Sequence, residues 1–325
     1  MMGSDVKKNI NIILPVFNEG EGIMTFYNEL ISVIGTLNKY NFLLLFVNDG
    51  STDNSKEILE ELSKKDERVR LFSFSRNFGH QAALMCGIKN SSSDAIITMD
   101  TDLQHPPALI PELINKWEEG YDIVNTVRQD QESIGWLKKL SSKMFYSVFN
   151  MMSESSLQKS AADFRLISSS VARVINEDIE ERNIFLRGLV SWLGFKQCYV
   201  DYKAQLRQKG ESKFTLRKMF SLANNGLSYF SLVPIKLGLY IGVIFFTISF
   251  LYLFISIIYG LVSNSLVPGW TSLVFFLLLL SSVQFILIGI LGIYIGHIFT
   301  EVKSRPSYIV ESTKGFNDTA HARHD

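Results

Sequence analysis

The chain has 325 residues, of which 47% are hydrophobic, so it is long enough to bury one large core or two smaller ones. Basic and acidic residues balance, and a formal net charge of zero gives no electrostatic reason to expect a nucleic-acid partner. The two cysteines, Cys86 and Cys198, stand far apart in apolar surroundings without the spacing of a metal site, so we expect reduced thiols in a cytoplasmic domain.

Strands and helices are predicted to alternate from about residue 9 to residue 130. Short, mostly apolar runs predict strands at 9–16, 41–48, 69–74, 95–99 and 121–127. Stretches with apolar residues at helical spacing predict helices at 20–37, 53–65, 81–89 and 109–118. The run at 41–48 is almost continuously apolar, as expected of a parallel strand buried on both faces. The alternation predicts a doubly wound α/β domain.

Polar loops follow the first, second and fourth predicted strands, and we expect them to meet at one rim of the sheet, where open α/β sheets bind ligands. They read FNE at 17–19, NDGS at 48–51 and DTDLQ at 100–104. The chain has neither a GxGxxG motif after its first strand nor a GxxxxGK[ST] motif, which argues against a Rossmann dinucleotide site and a P-loop. A nucleotide would therefore have to be held by carboxylates and a metal.

The loop after the fourth strand is the strongest candidate for a metal site. Asp100 and Asp102 follow the strand directly, and two prolines then prepare the next helix. With the amide oxygen of Gln104, the two carboxylates supply hard oxygen ligands suited to Mg²⁺ or Mn²⁺ rather than zinc. The alternative is a helix N-cap, since aspartate caps helices well. The position after a strand favours the metal, which would in turn hold a diphosphate.

The carboxy-terminal part predicts a membrane anchor. No Asp, Glu, Lys or Arg occurs from residue 237 to residue 300, and the apolar segments 237–262 and 271–299 are each long enough to cross a bilayer. Basic residues flank this hairpin on one side only, which places both termini in the cytoplasm. The alternative is a buried helical hairpin of a soluble protein.

Two further stretches are amphipathic, with basic residues at 138–143 and 217–218. The stretch at 214–233 adjoins the predicted hairpin, so we expect it to lie in the membrane interface, whereas 136–152 fits an interfacial helix and a core helix about equally. Just before 214, residues 207–213 read RQKGESK, and these basic groups around a glycine predict a phosphate clamp. The alternative is a solvated surface loop.

Taken together, these motifs resemble family 2 glycosyltransferases. The closer resemblance is to the polyprenyl-phosphate glycosyltransferases, the group of dolichol-phosphate mannose synthase and the bacterial undecaprenyl-phosphate glucosyltransferases of the GtrB type. The matching segments are LPVFNE at 14–19, VNDGSTD at 47–53, SRNFGHQAA at 75–83, MDTDLQHPP at 99–107, SAADFRL at 160–166 and RQKGESKF at 207–214. The resemblance implies a GT-A fold, a nucleotide-sugar donor, a divalent metal and a lipid phosphate acceptor.

The resemblance also implies roles for individual residues. Those at the nucleotide are Pro15, Phe17, Glu19, Val47 and Asp49, the last two at the base and ribose. Those at the metal and diphosphate are Asp100, Thr101, Asp102 and Gln104, with Arg128 at the phosphates. Arg207 and Lys213 would lie on a mobile loop that closes over the site, and Asp163 would orient the nucleophile or act as a base. His80 and Gln81 fall in a family motif without an assigned role, and the alternative for His80 is a packed structural histidine.

The implied reaction is the inverting transfer of a hexose, with UDP-glucose as the favoured donor, to a polyprenyl phosphate at the cytoplasmic face of the cell inner membrane. GDP-mannose and UDP-GlcNAc are alternative donors, and a transporter or flippase component is the alternative of another class. We expect a catalytic domain at 1–213, an interfacial helix at 214–233, two transmembrane helices within 234–299 and a cytoplasmic tail at 300–325. Glycine pairs four residues apart in both apolar segments favour a homo-oligomer, although packing within the hairpin explains them equally well. The tail at 299–310 could add a strand to the sheet of a neighbouring copy.

Overall fold

The computed structural model describes residues 7–129, 161–179, 186–203 and 269–316, together with residue 181 and isolated positions between 244 and 258. Both amphipathic stretches, the clamp residues Arg207 and Lys213, and most of the first predicted membrane segment lie outside the described residues. The described residues fall into two compact units, one with the whole sheet and one with the long helix near the carboxyl end.

The first unit is built around an eight-stranded mixed sheet with helices between its strands. Its strands are β1 (Lys8–Val16), β2 (Tyr40–Asn48), β3 (Val69–Phe74), β4 (Ala95–Thr98), β5 (Ile123–Gln129), β6 (Ala161–Ser168), β7 (Gln197–Lys203) and β8 (Val310–Lys314). Its helices are α1 (Ile23–Ile34), α2 (Ser55–Lys65), α3 (His80–Lys89), α4 (Ile110–Glu118), α5 (Ser169–Glu177) and α6 (Leu186–Trp192), and a 3₁₀ turn at Pro107–Leu109 precedes α4. The strand order is β7-β5-β6-β4-β1-β2-β3-β8.

The central strands carry apolar side chains on both faces, which is why both faces are covered by helices. Ile12 and Leu44 belong to one core cluster, which also takes residues from α1, α2 and α4. Their sequence neighbours Ile13 and Leu45 point to the opposite face and belong to a second cluster, with residues from α3, α5 and α6. The predicted α/β class and the buried character of β2 are confirmed.

Two strands run against the rest of the sheet. The pairs β1–β2, β1–β4, β2–β3 and β5–β7 are parallel, whereas β6 is antiparallel to both β4 and β5 and β8 is antiparallel to β3. Because β6 is reversed, its amino end, with Asp163, lies at the carboxyl ends of β4 and β5. The sheet therefore brings Asp163, the loop after β4 and Arg128 near the end of β5 to one rim.

The tail that follows the long helix belongs to the sheet. Strand β8 pairs with β3 of the same chain, so here the tail extends its own sheet rather than that of a neighbouring copy. Tyr308 stacks on Phe74 with the ring centroids 5.0 Å apart, and Phe316 packs on Phe72 at 4.9 Å. These aromatic contacts pack the tail against side chains of β3.

The second unit contains α7 (Trp270–Val302), a helix of 33 residues that covers the second predicted membrane segment. Described apolar side chains along it are exposed, including Leu277 at 58%, Ile288 at 62% and Ile295 at 64%. Several other side chains of α7 lie outside the described residues, and none of the helices in the described part of the chain qualifies as a membrane span. The membrane hairpin stays a prediction.

Candidate active site

The loop after β1 is fixed by the loop after β2. The amide of Asn18 donates to Ser51 Oγ at 3.1 Å, and the Asn18 side chain accepts from the amide of Thr52 at 2.8 Å. Asn18 has a φ of 55°, in the left-handed region that asparagine tolerates better than most residues. The loop therefore has a defined shape before any ligand arrives. It carries the predicted nucleotide residues Phe17, which is 37% exposed, and Glu19, which is half-buried.

Three other predicted nucleotide residues are buried. Pro15 and Val47 are register partners in β1 and β2 and lie inside the sheet. Asp49 accepts hydrogen bonds from the amides of Phe78 at 2.7 Å and Gly79 at 2.9 Å. Burial raises the pKa of Asp49 above its usual range, although these amides oppose the shift. In this structure Asp49 anchors the loop that leads into α3, and its contact with a nucleotide stays a prediction.

The loop after β4 alternates inward and outward side chains. Thr101 is buried and donates through Oγ1 to the carbonyl oxygen of Pro15 at 3.3 Å, whereas Asp100, Asp102 and Gln104 are half-buried. Asp102 Oδ1 accepts from the amide of Gln104 at 3.1 Å, which closes a turn. Both carboxylates therefore remain at the rim, as the sequence predicts.

Gln104 is engaged by an arginine. Its Oε1 accepts from Arg128 Nη1 at 3.0 Å, and Arg128 is exposed at the end of β5. The amide oxygen that we predict as a metal ligand is therefore used to hold a cation, and the geometry favours positioning of Arg128 as the role of Gln104. Within the described residues, no group of three or more His, Cys, Asp or Glu side chains is arranged to hold a metal.

Asp100 lies between two histidines. His80 Nε2 is 2.7 Å from Asp100 Oδ1, and the amide of Asp100 donates to His105 Nδ1 at 2.9 Å. Burial raises the pKa of Asp100, but His105 and His80 outweigh it and lower the pKa to about 2. In the same way burial lowers the pKa of His80, but Asp100 outweighs it and raises the pKa to about 9. His80 is thus a hydrogen-bonded partner of Asp100 at the rim rather than a packed structural histidine.

Asp163 is held by two arginines at the start of β6. Arg187 donates through Nε at 2.9 Å and through Nη2 at 2.8 Å, and Arg165 Nη2 lies 3.3 Å from Oδ1. The Asp163 side chain is only 8% exposed, and although burial raises its pKa, Arg187 and Arg165 hold it well below the usual range. A carboxylate this strongly ionised accepts a proton poorly near neutral pH. Of the two predicted roles of Asp163, the geometry favours orientation over base catalysis.

Sequence reasoning missed Arg187 and left His80 without a role. Arg187 stands alone in the apolar stretch IFLRGLV, at 184–190, and an isolated charge in such a stretch is a signal that could have identified it. The structure places His80 between Asp100, which it contacts at 2.7 Å, and Asp163, at 3.9 Å, and it joins Gln104 to Arg128. Arg207 and Lys213 lie outside the described residues, so their place at the site is untested.

Comparison with known proteins gives one family. Residues 11–181 match the model described as Glycosyl transferase family 2. The uncharacterized glycosyltransferase YkcC of Bacillus subtilis is 42% identical, over 95% of each chain, and the SfII prophage-derived bactoprenol glucosyl transferase of Shigella flexneri is 40% identical, over 94% of this chain and 98% of its own. Among solved structures, mannosyl-3-phosphoglycerate synthase from Rubrobacter xylanophilus is 15% identical with a TM-score of 0.46, over 66% of this chain and 70% of its own.

Proposed function

Since the chain belongs to glycosyl transferase family 2 and is a glycosyltransferase, we propose that it transfers a hexose from a nucleotide-sugar to a polyprenyl phosphate. UDP-glucose is the favoured donor. Relatives that are 40% identical over 94% of the chain carry the name bactoprenol glucosyl transferase, which supports both the sugar and the lipid acceptor. Membership of an enzyme family removes the basis for the alternative of a transporter or flippase component.

The observation that carries the proposal is the rim at the carboxyl end of β4. There Asp100 and Asp102 share a loop with Gln104, which accepts a hydrogen bond from the exposed Arg128. Carboxylates next to an arginine suit a ligand that is both metal-bound and anionic, and a nucleoside diphosphate is such a ligand.

The residues present fit a divalent metal. The carboxylates of Asp100 and Asp102 are hard oxygen donors of the kind that Mg²⁺ and Mn²⁺ prefer, and with a bound diphosphate they need no third protein ligand. When bound, the metal would stabilise the charge of the departing nucleotide. Arg128 would bind a diphosphate oxygen, and Arg207 and Lys213, which lie outside the described residues, are proposed for the same anionic ligands.

The acceptor needs little help from a base. A phosphate monoester has a second pKa near 6 and is mostly dianionic at neutral pH, so it can attack the sugar without losing a proton to the enzyme. The chief task is to hold two anionic reactants together, which is electrostatic stabilisation. The contacts of Asp163 agree with a reaction that needs no base, because a carboxylate held by Arg187 can orient neighbouring groups while staying ionised. Direct attack by the phosphate inverts the configuration at the sugar.

We place the enzyme in the cell inner membrane, with the site on the cytoplasmic side. This placement is supported by the absence of charged residues from 237 to 300, by the exposed apolar side chains of α7 and by the basic residues on one side of the predicted hairpin. A membrane-anchored enzyme would meet a lipid phosphate where the lipid resides. A homo-oligomer remains a proposal that rests on the glycine spacing alone.

The test is transfer of labelled sugar to lipid. The purified full-length protein in mild detergent is given undecaprenyl phosphate with UDP-glucose, UDP-GlcNAc or GDP-mannose, each with Mg²⁺, with Mn²⁺ or with excess chelator. We expect label in the organic phase with UDP-glucose and a metal. Transfer from another donor would correct the sugar, activity undiminished by chelator would overturn the metal, and no transfer from any donor would overturn the acceptor.

A further inference from the structure

His80 and Gln81 begin α3 and stand on a rigid base. The loop before them is anchored by the bonds from Phe78 and Gly79 to Asp49, and Gly79 adopts a φ of 102° that suits glycine. Behind them, residues 83–88 of α3 are all buried against the sheet. The backbone at the start of this helix is therefore held in place, and a side chain there can position the groups that it contacts.

His80 reaches Asp100, on the side of the rim proposed to bind the nucleotide-sugar, which we call the donor half. Its Nε2 contacts Asp100 at 2.7 Å, while Nδ1 is 3.9 Å from Asp163 Oδ2, beyond direct hydrogen-bond distance. The two carboxylates differ in what else holds them, because Asp163 already has Arg187 and Arg165, whereas the described contacts of the Asp100 carboxylate are, besides His80, the ring of His105 at 3.6 Å. Loss of the imidazole should therefore disturb Asp100 much more than Asp163.

Gln81 reaches the helix that carries Arg187, the partner of Asp163, and we call this proposed acceptor side of the rim the acceptor half. Its Oε1 accepts from the amide of Leu186 at 3.1 Å, and Leu186 is the first residue of α6. The next residue, Arg187, donates two hydrogen bonds to Asp163. Gln81 thus anchors the helix end from which Arg187 extends.

We propose that His80 and Gln81 are positioning residues: His80 orients Asp100 toward the nucleotide-sugar and its metal, and Gln81 orients Arg187 and Asp163. The inference rests on the proposed function for the meaning of the two halves. Adjacent residues on one rigid helix set the two halves at a fixed separation, which is what transfer between two bound anions requires.

The test compares side chains that keep or lose one contact each. In H80Q the amide nitrogen can reach the place of Nε2, in H80N it reaches only the place of Nδ1, and H80A has neither. Each protein is purified at full length, and Mn²⁺ binding in the presence of UDP is measured by calorimetry beside KM and kcat for transfer. Loss of a hydrogen bond to a charged group should weaken Mn²⁺ binding and raise the donor KM about tenfold or more in H80A and H80N, with H80Q close to wild type.

Gln81 should give the opposite pattern. We expect Q81A to lower kcat while the affinity for Mn²⁺ and UDP stays at the wild-type value, and Q81E, which keeps an acceptor oxygen, to restore part of kcat. Thermal unfolding shows that each variant is folded, and H80Q and H80N, which differ by one methylene, are compared directly if H80A unfolds.

An equal loss of Mn²⁺ affinity in H80Q and H80N, or unchanged Mn²⁺ affinity in both, would overturn the role of His80. Loss of Mn²⁺ affinity in Q81A, or no loss of kcat, would overturn that of Gln81. Binding of Mn²⁺ and UDP does not require lipid transfer, so the order of the His80 variants can hold even if the wild-type protein glycosylates no polyprenyl phosphate, and the two failures are told apart.

Discussion

The pair Arg187–Asp163 should be strongly coupled, and a double-mutant cycle with Arg187→Met and Asp163→Asn measures it. Arg187 makes two short bonds, at 2.9 and 2.8 Å, to a carboxylate that is 8% exposed. Hydrogen bonds to charged groups contribute about 1.5–3 kcal/mol each, and since Arg165 remains to compensate in part, we expect a coupling energy of about 3 kcal/mol. If the pair orients Asp163 in the transition state, Arg187→Met should lower turnover by about two decades.

The assay is urea denaturation in mild detergent beside turnover, for the wild type, both single variants and the double variant. The pair Lys56–Glu311 is a matched control, because it has the same 2.8 Å separation but side chains that are 33% and 54% exposed. Its coupling should be below about 1 kcal/mol. A coupling for Arg187–Asp163 no larger than that of the control, or normal turnover in Arg187→Met, would refute the reasoning.

Three further outcomes are expected. Asp102→Ala should abolish transfer and leave the protein folded, which activity and thermal unfolding check together; normal turnover would reject its assignment to the metal. Arg207→Ala should lower turnover by about one to two decades with only a modest loss of donor affinity; an equal loss of UDP-sugar affinity would place Arg207 at the nucleotide. Although burial raises the pKa of Asp66, bonds from Arg68 and Tyr27 lower it from 3.8 to about 2. A lowered folded-state pKa stabilises the protein above the unfolded pKa, so the stability difference between wild type and Arg68→Ala, at most about 2 kcal/mol, should shrink as the pH falls from 4 to 2, and a constant difference would contradict this.

The sequence alone predicts the local parts of the fold and of the site. Strands β1 to β4 and helices α1 to α4 are short segments with clear periodicity, and their predicted ends differ from the observed ones by a few residues. The loop with Asp100 and Asp102 was placed correctly because its position depends only on the strand before it and the prolines after it. Family motifs then identified the chain as a glycosyltransferase, which the comparisons confirm.

The tertiary structure alone decided how distant segments meet. No local sequence pattern predicts that β6 runs antiparallel between β4 and β5, because the direction of this strand depends on which neighbouring strands the whole sheet leaves available. The reversal puts Asp163 at the rim, where Arg187, 24 residues further along the chain, can reach it. His80 meets Asp100 across 20 residues for a related reason, since α3 begins at the rim where β4 ends. Residue type and spacing determine which groups the chain carries, but the packing of helices on a mixed sheet determines which of them become partners.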